Sequence, residues 1–82
     1  MPVIARLDNG NLIIKFYFKD HNPPHVHAMR GEADGEFDIG TGKMMVGDLT
    51  SSDQKTIGEW ITSHSQSLLR VWETNDTGEL DA

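Results

Sequence analysis

The stretch His25-Val26-His27-Ala28-Met29-Arg30-Gly31-Glu32-Ala33-Asp34-Gly35-Glu36-Phe37-Asp38-Ile39 decides the fold. Its first half sets Val26 and Ala28 against His25, His27 and Met29. Its second half sets Ala33, Gly35, Phe37 and Ile39 against Asp34, Glu36 and Asp38. Both alternate with a period of two, the spacing of a strand with one buried face. Gly31-Glu32 between them suits a two-residue hairpin turn whose first central position needs positive φ. That turn fixes the register, pairing Val26 with Phe37, His27 with Glu36 and His25 with Asp38. One face of the hairpin is then apolar, while the other sets two imidazoles against two carboxylates.

Moving towards the N-terminus, Leu12, Ile14, Phe16 and Phe18 alternate with Ile13, Lys15, Tyr17 and Lys19, which predicts another half-buried strand. Asp8-Asn9-Gly10-Asn11 before it is a hairpin signal of the kind needing positive φ at both central residues. With Asn9 and Gly10 as the loop, Leu7 faces Leu12, Ala5 faces Ile14 and Val3 faces Phe16. Towards the C-terminus, Gly40-Thr41-Gly42 turns the chain, and Lys43 to Val46 form a short last strand with Met45 inward. The period changes near Thr50. Thr50-x-x-Asp53 and Ser51-x-x-Gln54 both resemble helix starts, the second fitting the capping-box pattern better, so a helix begins at about Ser51 or Ser52.

Ile57, Trp60, Ile61, His64, Leu68, Val71 and Trp72 then keep a 3.6-residue period, a stripe that lies on the sheet. His64, at the stripe's centre, reads as a satisfied core histidine, and Trp60 and Trp72 as core or partner-contact residues. Ser63-His64-Ser65 allows a kink or a split into two helices, but the unbroken period favours one long helix. Gly58 in this helix marks close approach to a strand. The reading is therefore α+β: an antiparallel meander of about five strands packed on one face by a C-terminal helix. Residues 1–76 form a single small domain and 77–82 a frayed acidic tail.

Chain length and charge limit the function classes. With 82 residues there is room for one core, and without cysteine neither disulfides nor thiolate metal sites are available. No apolar run approaches the length needed to cross a bilayer, and the first residues lack the features of a secretory signal, so the expected location is the cytoplasm. Thirteen acids against seven bases give a net charge of −6. This charge opposes broad attraction to phosphate backbones and suits a basic protein partner better than RNA, although it also serves solubility. On the outer sheet face Arg6, Lys15 and Lys19 fall towards one edge and Asp34, Glu36 and Asp38 towards the other, with histidines between.

The chemically committed segment is Asp20-His21-Asn22-Pro23-Pro24-His25-Val26-His27, which holds three of the four histidines. Imidazole changes charge near neutral pH, binds transition metals and moves protons. Three readings stay open. A divalent metal such as zinc would be held by His25 and His27, with His21 or the opposed carboxylates Glu36 and Asp38 completing the site. Acid–base catalysis on RNA would use the same histidines, with Arg6, Lys15, Lys19 or Arg30 holding phosphate. A structural lock would have the histidines bond backbone or carboxylates around the proline turn. Asp20, Glu36, Asp38, Lys15 and Arg30 are the candidate binding residues around them.

The hairpin start, the Asp-His-x-Pro-Pro-His-Val-His block, the acidic strand, Trp60-Ile61-x-x-His64 and Leu68-Leu69-x-x-Trp72 together resemble a bacterial family, domain-of-unknown-function family 4160, over residues 2 to 73. That resemblance implies no assigned activity. It does imply a small protein partner of the family 2442 type, in a two-gene arrangement resembling a toxin–antitoxin or regulatory pair. The chain is accordingly expected to be a protein-binding component of such a pair. The alternative is a histidine-dependent ribonuclease or metal-dependent hydrolase using His21, His25 and His27. Open strand edges at both limits of the sheet would also admit a homodimer.

Overall fold

A computed structural model of the chain describes residues 3–16 and 23–74. Its elements run β1 (Val3–Leu7), β2 (Leu12–Lys15), β3 (His25–Arg30), β4 (Ala33–Asp38), β5 (Met44–Gly47), α1 (Ser51–Ser63) and α2 (Ser65–Thr74). The five strands form one antiparallel sheet in chain order, β1-β2-β3-β4-β5. The expected α+β meander is the observed fold. Leu12, Ile14, Phe16, Val26, Ala28, Phe37 and Ile39 form the apolar face, and Ile57, Ile61, Leu68 and Val71 join them in one buried cluster. No helix among the described residues is long and apolar enough to cross a membrane.

The central hairpin has the expected register, with His25, Val26 and His27 opposite Asp38, Phe37 and Glu36. Gly31 takes φ 58° in the two-residue turn between Arg30 and Ala33, a conformation that costs glycine least. The flanking hairpins each depart from strict alternation by one residue. At the first, Leu7 pairs with Leu12 and Ala5 with Ile14 as expected, but a bulge then sets Val3 opposite Lys15 instead of Phe16. Ile4 packs against the core, and Val3 is exposed. The turn itself is wider than a two-residue loop, with positive φ at Asp8 as well as at Asn9 and Gly10.

At the last hairpin a second bulge, between Glu36 and Phe37, sets Met44 opposite Phe37. Met44 therefore packs against the core and Met45 is exposed, the reverse of the inward Met45 expected. A strand bulge shifts every later side chain to the other face, and adjacent apolar residues give it no sequence mark.

The helical half differs in three details. Thr50, rather than the Ser51-Gln54 box, caps α1: its hydroxyl accepts the Asp53 amide at 3.1 Å, while Gln54 Nε2 donates to the Leu49 carbonyl at 2.8 Å. The long helix divides at His64, whose φ and ψ of −120° and 15° end α1 before α2 begins. His64 is consequently exposed instead of core. Its ring stacks on Trp60 with centroids 4.5 Å apart, and its Nδ1 donates to the Trp60 carbonyl at 2.8 Å.

Gly58 marks a close approach to the turn at residues 40–43, not to a strand as expected. A Cβ at Gly58 would lie 2.8 Å from the Gly42 carbonyl oxygen. The frayed tail expected at 77–82 and the strand continuation over 17–19 lie outside the described residues.

Candidate functional site on the outer sheet face

Because β3 and β4 run antiparallel with His27 opposite Glu36, side chains of the polar face line up across the sheet. Lys15 of β2, His27 of β3, Glu36 of β4 and Val46 of β5 share one cross-strand rank. His25, two residues before His27, projects on the same side. The three groups converge on one point. His25 Nε2 and His27 Nε2 each lie 3.5 Å from the same oxygen, Glu36 Oε1, and the three residues each offer a ligand atom within 4.8 Å of the other two.

The burial of the three side chains is graded. His25 is 1% exposed, His27 23% and Glu36 30%. His25 is walled in by Trp72 of α2, with ring centroids 5.1 Å apart, and Trp72 in turn packs on Phe16 at 6.0 Å. The imidazole is further fixed by Nδ1, which donates to the Pro23 carbonyl at 2.7 Å. A carbonyl can only accept, so that nitrogen carries the proton, and a neutral His25 presents its lone pair at Nε2. Beside the trio a cleft of about 290 Å³ is lined by His27, Asp34, Gly35, Glu36, Val46 and Gly47.

The other candidate residues divide by position. Asp38 stands opposite His25 in register, but its Oδ1 accepts the Thr41 amide at 2.9 Å, so this carboxylate caps the turn into β5. Lys15 shares the rank of His27. Asp20 and His21 lie outside the described residues.

Arg30 lies on the helix side of the sheet. Its Nε donates to Asp53 Oδ2 at 2.8 Å, and its Nη2 to Asp53 Oδ1 at 3.0 Å and Asp8 Oδ2 at 2.7 Å. The two acids raise the guanidinium's pKa, Asp53 most through its hydrogen bonds. Arg30 in return holds the Asp53 carboxyl below the ordinary aspartate value, chiefly by hydrogen bonding, with burial opposing. Arg30 thus clamps the first turn of α1 and the β1–β2 loop to the end of β3. It is turned away from the histidines.

Sequence reasoning did not single out Asp34, Gly35, Val46 and Gly47 as cleft residues, Pro23 as the acceptor for His25, or Trp72 as its wall. Only the Pro23-Pro24 pair carried a local signal, that of a rigid turn. The model of a family described as Domain of unknown function (DUF4160) matches residues 11–73, from the start of β2 almost to the end of α2. That span contains the three converging groups. No curated protein and no solved structure matches the chain.

Proposed function

The chain belongs to the DUF4160 family of domains of unknown function, and from that premise we propose that it is a protein-binding component of a two-gene pair, regulatory or of toxin–antitoxin type. The observation that carries this reading is the edge of β5, which has no second strand neighbour among the described residues. Met45 and Val46 are adjacent there and 44% and 58% exposed, and β5 contains no charged residue. Edge strands are ordinarily guarded by charge, proline or cover, and an unguarded one accepts an added strand through its free backbone groups. The net charge of −6 favours a partner segment with basic residues. A small neighbouring protein of the family 2442 type is the proposed partner, and the cytoplasm the proposed location.

Co-expression with a small protein of the family 2442 type, followed by size-exclusion chromatography, tests the reading. The pair is expected to co-elute, and Val46→Lys or Met45→Lys is expected to separate it without unfolding the chain. Independent elution of the wild-type proteins, or association unchanged in both variants, would count against it. Elution of the chain alone as a dimer would assign the edge to a second copy.

A second reading, a metal-dependent hydrolase or histidine-dependent ribonuclease, is favoured by the convergence of His25, His27 and Glu36. The engagement of Arg30 by Asp8 and Asp53 weighs against the phosphate-holding role expected of it. Unchanged RNA decay or growth inhibition in His25→Asn and His27→Asn would remove this reading.

A further inference from the structure

We propose that His25 Nε2, His27 Nε2 and Glu36 Oε1 form a three-ligand zinc site whose fourth position opens to the cleft beside them. A charge-assisted imidazole–carboxylate hydrogen bond closes to about 2.7–2.9 Å. Here both imidazoles stand off Glu36 Oε1 at 3.5 Å. Two ligand atoms bound to one tetrahedral zinc at about 2.0–2.1 Å lie roughly 3.3–3.4 Å apart. The two Nε2-to-Oε1 separations are therefore close to the edges of a zinc tetrahedron.

The surroundings agree with this assignment. Metal-bound histidines characteristically donate their other ring nitrogen to a carbonyl or carboxylate, which fixes the tautomer and orients the ring. His25 makes that bond to Pro23. Trp72 holds the same ring from behind. Two imidazoles and a carboxylate, without sulfur, form a borderline donor set suited to zinc rather than to calcium or magnesium. The cleft lined by Asp34, Gly35, Val46 and Gly47 lets a water or a ligand oxygen reach the fourth position. The three ligands come from β3 and β4, and Val46, the exposed β5 residue that lines the cleft, supplies none of them.

The test is a zinc titration of the full, tag-free chain after chelator treatment, read by calorimetry and by the ring nitrogens in 1H–15N NMR. The expected result is one zinc per chain, with Nε2 of both His25 and His27 shifting in proportion to bound metal. Glu36→Gln and His27→Asn, both at partly exposed positions, should weaken binding more than about a hundredfold, above the range for loss of an outer-shell partner. Asp34→Asn, which changes the cleft but no ligand, should leave affinity within about threefold by the same comparison. Absent binding, a stoichiometry other than one, or equal binding by Glu36→Gln and His27→Asn would overturn the proposal. If either variant fails to fold, the wild-type NMR titration decides: zinc that leaves the His25 and His27 Nε2 resonances unmoved overturns it.

Discussion

Alanine at Gly58 sets two forces against each other. In a solvent-facing helix interior, glycine to alanine stabilises by about 1 kcal/mol because it reduces the freedom of the unfolded chain and favours the helix. Here the new Cβ would lie 2.8 Å from the Gly42 carbonyl oxygen, a backbone atom that cannot rotate away. Either α1 must lift from the Gly40–Lys43 turn or the turn must shift, and overpacking of this kind costs about 1–3 kcal/mol. The net expectation is a loss of about 1 kcal/mol. For a domain of this size that corresponds to a fall in Tm of about 4–8 °C. Urea unfolding followed by circular dichroism should show a lower midpoint at an unchanged slope. A Gly58→Ala protein more stable than wild type by the full helix-propensity gain would refute the close packing of α1 on that turn.

The hairpin at the heart of the molecule was legible because two independent signals agree there. Period-two alternation in 25–30 and 33–38 names the buried face, and the Gly31-Glu32 turn allows a single register. The meeting of His27 and Glu36 followed from that register alone. At the flanking hairpins the turn signals place the loops, but a bulge beyond each turn shifts the register by one residue. Val3 and Ile4, like Met44 and Met45, are adjacent apolar pairs either of which can face inward, and the bulges that choose between them have no local composition. His64 failed for a related reason: periodicity carries a residue around the helix only while the helix continues, and α1 ends there. The Arg30 clamp joins residues 22 and 23 positions apart, and no spacing rule announces such a pair. Of the candidate site, the pairing of His27 with Glu36 was legible; the turn role of Asp38 and the fixing of His25 were not, because the Thr41 amide, the Pro23 carbonyl and Trp72 meet them only through the folded chain.

Several other perturbations have definite outcomes. Phe37→Ala removes a fully buried ring from the centre of the sheet and should cost about 3–5 kcal/mol, enough to abolish cooperative thermal unfolding if total stability lies at the low end for small domains. Thr50→Ala deletes the acceptor for the Asp53 amide and should cost about 1 kcal/mol in chemical denaturation, whereas Ser51→Ala should cost much less. Asp53 has a folded pKa below its unfolded value, so the stability it contributes is fully present above the unfolded aspartate value of about 4 and is lost as pH falls through the lower folded value. Acid unfolding monitored by tryptophan fluorescence should therefore be less steep in Asp53→Asn than in wild type; identical profiles would deny the clamp.

The entry to β3 locks His25 with its proton on Nδ1, so that its Nε2 lone pair meets Glu36 and His27 on the outer face. Long-range 1H–15N correlation of the imidazoles, recorded on the chelator-treated protein above the histidine titration range, reads that state directly. A single Nδ1–H tautomer is expected for His25, with a downfield Nδ1 proton bonded to the Pro23 carbonyl. A predominant Nε2–H tautomer, or rapid averaging between the two, would contradict it.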